Sequence, residues 1–235
     1  MQSLPTLAIL IALALTGIFL LRAGRQQHQR QHEDLTMQLL LGLDLMQGVQ
    51  RHRALGTQSG SDATRNRRAL EVQLERAWNA WTDSGDLANW RNLLRSPEDF
   101  EGHCRLLERL LGQIRYLELH RCHLLESTPE IADRCWKVED LGRLRGLSIR
   151  AAAHQQCPLE LQVQLLYLRD RLLADADESL QSALAHVTNS LIGAERTAIK
   201  PAELYSLLTP LIDKRIEGIR SVVAPAAPHR PSTPS

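Results

Sequence analysis

The chain has 235 residues, a formal net charge of +1 and a hydrophobic fraction of 43%. This near-neutral balance, without a long run of Lys and Arg, argues against nucleic acid as a main partner. Only 4% of the residues are aromatic, and the abundance of Leu and Ala favours helices over sheets. The length accommodates one large domain or two small ones. We therefore expect an all-α protein.

The first predicted element is an N-terminal transmembrane helix at Leu4–Leu21, a segment without charged residues. A helix of roughly 18 residues, at about 1.5 Å per residue, spans about 27 Å and so crosses the bilayer core. The alternative is a cleaved signal peptide, which requires a basic segment before the apolar run and a small-residue cleavage site after it. The sequence offers neither, so we predict an uncleaved single-pass anchor, with residues 1–30 forming the anchor and its basic flank.

The flanking charges predict the orientation of this anchor. Arg22, Arg25 and Arg30 follow it, and the first acidic residue is Glu33. Because positive charge is retained on the cytoplasmic side, we expect the domain after the anchor to lie in the cytoplasm, attached to the cytoplasmic (inner) membrane.

The cysteines do not show a paired spacing. They are Cys104, Cys122, Cys135 and Cys157. In a cytoplasmic domain they would be reduced thiols. If the domain instead lies on the outer side, two disulfides could form, and the sequence does not select the pairing.

Residues 31–223 are predicted to form one helical domain, followed by a disordered proline-rich tail at 224–235. Turn and capping signals separate the predicted helices, which are Gln31–Leu55, Asp62–Thr82, Pro97–Leu125, Ser127–His154, a stretch from Cys157 with a possible break at Asp175–Asp177, and a last helix from Lys200. Apolar stripes at helical spacing, with short turns and without strand alternation, predict antiparallel bundles of the four-helix type.

Two arginines continue the apolar faces of predicted helices. Arg53 follows Met46 and Val49 at helical spacing, and Arg145 follows Leu141 in the same way. An unpaired guanidinium in a protein interior is costly, so it meets a carboxylate, backbone carbonyls or a bound anion. Two inward arginines from two helices predict a small, dry anion site.

The segment around Arg53 resembles a known family. Met46–Gly56 (MQGVQRHRALG) is similar to the first-helix motif of nitrate- and nitrite-sensing (NIT) domains. The matching residues are Val49, Gln50, Arg53 and Leu55. The chain departs from the motif at His52, where the family usually has Glu, and at Ala54, where it has Gly. The first departure affects the contacts expected around Arg53.

Three further segments resemble the family in order and approximate spacing. They are Phe100–Leu111, Glu139–Gly146 and Pro201–Asp213, so the resemblance extends from about Leu35 to Val222. It implies a domain of packed four-helix bundles that binds nitrate or nitrite between two inward arginines. It also implies that ligand binding shifts helices and thereby acts on an output.

The resemblance assigns ligand-binding roles to particular residues of this chain. It makes Arg53 the first arginine and Arg145 the second, with Arg143, on a more polar face, as the alternative. Gln50, Thr57 and Ser148 are candidate neutral donors. A planar, weakly hydrated anion such as nitrate suits the flat guanidinium, which donates hydrogen bonds in pairs.

Simpler interpretations remain open for these residues. Arg53 can form a salt bridge with an inward acid, and Arg145 can pair with Glu139 or Asp140 or lie on a solvated face. His120 and His123 share one side of a helix, but the spacing fits no standard zinc pattern, so we expect no metal site. The sequence lacks a phosphate loop, a dinucleotide fingerprint and paired catalytic carboxylates. We therefore expect no catalytic residues and no enzyme activity.

Two functions follow from these observations. The first is a membrane-anchored sensor that binds nitrate or nitrite, forms a homodimer and signals by helix shifts to a separate, unidentified output protein. The second is a membrane-tethered helical scaffold that has the fold and binds no ligand. A carboxylate beside Arg53 would support the scaffold, whereas a small cavity shared by Arg53 and Arg145 would support the sensor.

Overall fold

The structure, a computed structural model, describes residues 3–58, 60–81, 84–125, 127–128 and 130–224; for 3–18 and 84 it describes the backbone alone. All regular secondary structure in these ranges is helical, without a strand. The all-α prediction is therefore confirmed. The predicted tail lies, from residue 225 onwards, outside the described residues.

Eight α-helices follow one another along the described chain. They are α1 (Ser3–Gly56), α2 (Ser61–Ala80), α3 (Ser84–Arg95), α4 (Phe100–Leu125), α5 (Ile131–Ala151), α6 (Leu159–Leu173), α7 (Glu178–Val187) and α8 (Pro201–Val223). A single π-helical turn, Thr188–Ile192, continues α7. A break near Asp175–Asp177 separates α6 from α7. The Asp177 carboxylate caps the start of α7 by accepting a hydrogen bond from the amide of Leu180 at 2.8 Å.

Helix α1 is continuous from the predicted anchor segment into the domain. Among the described residues, no helix is both long and apolar enough to cross a membrane. The side chains of residues 3–18, and with them most of the predicted anchor Leu4–Leu21, lie outside that description. Side chains 19–31 are exposed, and Leu39 is the first one described in α1 that is buried. Packing against the domain therefore begins in the middle of this helix.

Helices α1, α4, α5 and α8 enclose the core of the domain. Each of them contacts two neighbours, in the order α1, α4, α5, α8 and back to α1, and α1 also contacts α5. Helices α1 and α8 are antiparallel, because Asp44 pairs with Arg220 whereas Arg51 pairs with Asp213. The space between these helices is filled mainly by Leu and Ile side chains, as their helical spacing requires.

The remaining helices cover the outside of this core. Helices α2 and α3 pack on α1 and α4, where the side chains of Trp78 and Trp90 are buried. Helices α6 and α7 pack on α5 and α8. The start of α5 is fixed by the buried Glu118 of α4, whose carboxylate accepts the amides of Ile131 and Ala132. A carboxylate at a helix N-terminus satisfies unpaired amides and interacts favourably with the helix dipole.

Candidate functional site

Arg53 lies in the core and forms a two-point salt bridge with Glu139 of α5. Its Nη1 atom donates to Glu139 Oε1 at 2.6 Å, and its Nη2 atom donates to Oε2 at 3.2 Å. Both side chains are fully buried. Burial alone lowers the pKa of Arg53, but the charge and hydrogen bonds of Glu139 outweigh it and raise the pKa overall. The positive charge of Arg53 is therefore balanced within the protein.

Glu139 also binds two of the other residues that the sequence singled out. Gln50 Nε2 donates to Glu139 Oε2 at 2.8 Å, and Arg143 Nε donates to Oε1 at 3.0 Å. Arg143 is partly exposed and additionally donates to Glu108 at 2.6 Å. Burial lowers the pKa of Arg143, and the two carboxylates reverse this effect and raise it. One buried carboxylate thus holds three of the four predicted ligand-binding side chains.

Arg145 has a different environment from Arg53. Its side chain is fully buried, with Nη1 donating to Thr209 Oγ1 and Nη2 donating to the Gln50 carbonyl, both at 2.9 Å. The ring of Tyr205 lies 5.3 Å from its Cζ atom. No carboxylate in the described ranges forms an ion pair with Arg145. Its contacts are therefore a hydroxyl, a carbonyl and an aromatic face.

The electrostatics reflect this lack of a counter-charge. Burial and the positive charges of Arg53 and Arg51, against the opposing effects of Tyr205 and Asp213, together lower the pKa of Arg145 to about 10. Asp213 is bound instead by Arg51, at 2.9 Å to each carboxylate oxygen. At neutral pH Arg145 remains protonated, so the core contains one positive charge without a negative partner.

Two buried polar atoms on α5 add to this environment. The Nε atom of Arg145 and the Oγ atom of Ser148 have no hydrogen-bond partner among the described residues. Ser148 is three residues after Arg145, so both side chains lie on the same side of the helix. Both atoms carry protons and can donate to an anion.

His52, which stands where the resembled family has Glu, belongs to a second buried network. Its Nδ1 atom lies 2.8 Å from His103 Nε2, and its Nε2 atom lies 3.1 Å from Glu71 Oε1. His103 Nδ1 is 2.5 Å from the carbonyl of Asp99 and so carries the proton of that hydrogen bond. Burial lowers the pKa of His52 to about 4 and that of His103 to about 3. In the neutral state His52 Nδ1 therefore donates to His103 Nε2, and His52 Nε2 carries no proton for Glu71. The two rings form a hydrogen-bonded pair against Trp90.

The four predicted site residues are linked by hydrogen bonds. Arg53, Arg143 and the side chain of Gln50 all bind Glu139, and the carbonyl of Gln50 accepts a hydrogen bond from Arg145. The two arginines have different partners, because Arg53 binds the carboxylate of Glu139 and Arg145 binds a hydroxyl and a carbonyl. Sequence reasoning missed the contacts that Tyr205 and Thr209 make with Arg145. Their spacing of four residues on one face of α8, continued by Asp213, is the signal that indicates them.

The described residues show no group of three or more His, Cys, Asp or Glu side chains that could hold a metal ion. All four cysteines are free thiols, and only Cys122 is not buried. Comparisons with protein-family models, with curated proteins and with solved structures found no match for this chain. The function is therefore argued from the geometry around Arg53 and Arg145.

Proposed function

We propose that the chain binds a small monovalent anion, nitrate or nitrite, at Arg145. The observation that supports this most directly is the buried guanidinium of Arg145, which has only neutral partners in the described structure. A buried charge of this kind is stable only with compensation, and an anion of one negative charge supplies it. The site lies between α1, α5 and α8.

The available donors suit an oxyanion. Arg145 presents its unpartnered Nε atom and the second protons of both Nη atoms, and Ser148 presents a hydroxyl. Nitrate is planar and weakly hydrated, so a guanidinium can donate to two of its oxygens while little hydration energy is lost. The resemblance of Glu139–Gly146 to a NIT-domain segment also supports Arg145 as the anion-binding residue.

Arg53 has a positioning role in this proposal. Its charge is neutralised by Glu139, and Glu139 in turn holds the side chain of Gln50. The carbonyl of Gln50 accepts one hydrogen bond from Arg145. Arg53 therefore acts on the site through Glu139 and Gln50, and the anion is contacted by Arg145.

We propose that the signal arises from the hydrogen bonds by which Arg145 connects three helices. Arg145 connects α5 to α8 through Thr209 and to α1 through Gln50. An anion bound at the free Nε and Nη protons would draw the guanidinium toward itself, weaken both links and allow α8 to shift against α1. We propose that α1, α4, α5 and α8 act as a four-helix bundle that transmits this shift. The bundle would be anchored by Leu4–Leu21 in the inner membrane, paired as a homodimer and coupled to a separate output protein.

Thermal unfolding of the full-length chain in nitrate, nitrite and chloride tests anion binding. An anion that binds only the folded state stabilises it by about 2.7 kcal/mol at one hundred times its Kd. We expect the melting temperature to rise with nitrate or nitrite and to stay constant in chloride. Arg145→Met should lose the rise, whereas Arg68→Met, which removes an exposed charge on α2, should retain it. A rise that persists in Arg145→Met would refute the assignment of the site.

A helical scaffold without a ligand is the second candidate. The Arg53–Glu139 salt bridge favours it, because that pair fills the place where the resemblance puts the first anion-binding arginine. Arg145 lines none of four cavities found among the described residues. A melting temperature that stays constant in all three anions up to millimolar concentrations would select this function.

A further inference from the structure

A cavity of about 370 Å³ opens where α1 ends and α8 begins. Thr57 and Gln58, which follow α1 directly, line it together with Arg150 at the end of α5, Ala153 just beyond that helix, and Pro201 from the first turn of α8. Its volume is several times that of a water molecule. A small hydrated anion therefore fits inside it.

The side chains that line this cavity make it electropositive. Arg150 and Lys200 both line it, and no acidic residue does. In the described structure neither cation forms an ion pair, and Arg150 instead lies over the ring of Phe100, 5.2 Å from its centroid. Two cations without an ion-pair partner in a concave wall attract anions locally.

The cavity and Arg145 lie on the same faces of two helices. Ile149 on α5 and Ala153 just after this helix line the cavity, and Arg145 precedes Ile149 by four residues on the same face. On α8, Pro201 lines the cavity, and Tyr205 is the next residue on that face. Because four residues of helix rise about 6 Å, Arg145 lies roughly one to two turns inward from the cavity.

Tyr205 stands between these two places. It is one turn from Pro201 at the cavity and one turn from Thr209, which accepts a hydrogen bond from Arg145. Its side chain is partly buried, and its ring lies 5.3 Å from Arg145 Cζ. Tyr205 is therefore the residue on this face of α8 that lies between the cavity wall and the partner of Arg145.

We propose that this cavity is the port through which a small monovalent anion reaches Arg145, with Arg150 and Lys200 attracting it and Tyr205 as the gate. The proposal rests on the proposed anion binding at Arg145. It assigns the two cations an effect on the rate of entry and Tyr205 an effect on the rates of both entry and exit. Charges along an approach route change association rates more than dissociation rates.

The test measures nitrate association and dissociation rates of the full-length chain from NMR line shapes of α8 amides during a nitrate titration. We expect Arg150→Glu with Lys200→Glu to lower the association rate about tenfold and to leave the dissociation rate nearly unchanged. Lys214→Glu, a single charge reversal at an exposed position further along α8, is the control for a Lys-to-Glu change away from the cavity and should have little effect. Tyr205→Ala should raise both rates together.

Folding of each variant is checked by its melting temperature without nitrate, and Arg150→Gln with Lys200→Gln provides a milder pair. Association rates equal to those of the wild type in both double variants would overturn the port. The proposed function would still stand if the wild type binds nitrate and Arg145→Met does not. Rates unchanged in Tyr205→Ala would refute the gate. Absence of nitrate binding by the wild type would refute the port and the function together.

Discussion

Arg53 and Arg145 are both fully buried, and both are linked to Gln50, yet their environments are opposite. Arg53 is linked to it through Glu139, and Arg145 donates to its carbonyl. Arg53 meets Glu139 through two hydrogen bonds, whereas Arg145 meets a hydroxyl and a backbone carbonyl. The pKa of Arg53 is raised, and that of Arg145 is lowered to about 10 by burial. Burial of an arginine therefore does not by itself indicate a ligand. The presence or absence of a carboxylate beside it distinguishes a structural pair from a candidate site.

The first prediction tests the paired arginine and has the largest expected effect. Arg53→Met removes the fully buried, two-point partner of Glu139 and leaves that carboxylate only the partly exposed Arg143 as a counter-charge. Breaking a buried ion pair in this way typically costs about 3–5 kcal/mol. We expect a decrease of this size in the free energy of unfolding, measured by urea denaturation. Arg53→Met combined with Glu139→Leu removes both charges and should recover much of the loss. A single variant as stable as the wild type would show that Arg53 and Glu139 are not coupled.

The second prediction concerns the neutral histidine pair, which contrasts with both arginines because burial removes its charge. The pKa values of His52 and His103 are lowered from 6.5 to about 4 and about 3. The unfolded chain therefore binds more protons below pH 6.5, so stability is full above that pH and falls as the pH decreases toward 4. Each histidine contributes about 2 kcal/mol of this loss between pH 7 and 5.

Urea denaturation at pH 7 and pH 5 measures this loss. His52→Gln with His103→Gln removes both titrating groups, so the difference in unfolding free energy between the two pH values should shrink markedly. His186→Gln, at an exposed position of α7, controls for the loss of a histidine. An undiminished difference in the double variant would show that other groups cause the pH dependence.

The third prediction tests how rigidly the Glu139 network is held. A Cβ atom at Gly142 would lie 3.0 Å from Gln50 Nε2 and 3.1 Å from Arg53 Nη2. Because Glu139 fixes both of these side chains, they cannot move aside, and Gly142→Ala should lower the unfolding free energy by about 1–3 kcal/mol.

Gly112→Ala is the matched control, because Gly112 lies in the interior of α4 with no atom within 4 Å of the added Cβ. This substitution should stabilise the protein by about 0.5–1 kcal/mol. If Gly142→Ala has the same effect as Gly112→Ala, the side chains around Glu139 are looser than their hydrogen bonds imply.

The all-α class was predictable because the helical spacing of Leu and Ile indicates which helix faces are buried. The inward positions of Arg53 and Arg145 followed from the same spacing, and both are buried. Their partners did not follow, because pairing depends on which helix lies opposite. Glu139 was close in sequence to Arg145 and was considered as its partner, but the packing of α5 on α1 directs its carboxylate to Arg53. Such choices between helices arise from tertiary structure, which local pattern does not encode.

The fourth prediction has the smallest expected effect and tests the unpaired arginine. Arg145→Met removes hydrogen bonds to Thr209 and Gln50, worth about 1 kcal/mol each, but it also removes a buried charge without a counter-charge. These contributions offset one another, so the free energy of unfolding without added anion should stay within about 1 kcal/mol of the wild type. A loss of 3 kcal/mol or more would show that Arg145 is as well compensated within the protein as Arg53. Near-neutral stability combined with loss of the nitrate-dependent rise in melting temperature is the result expected only when the missing counter-charge is a ligand.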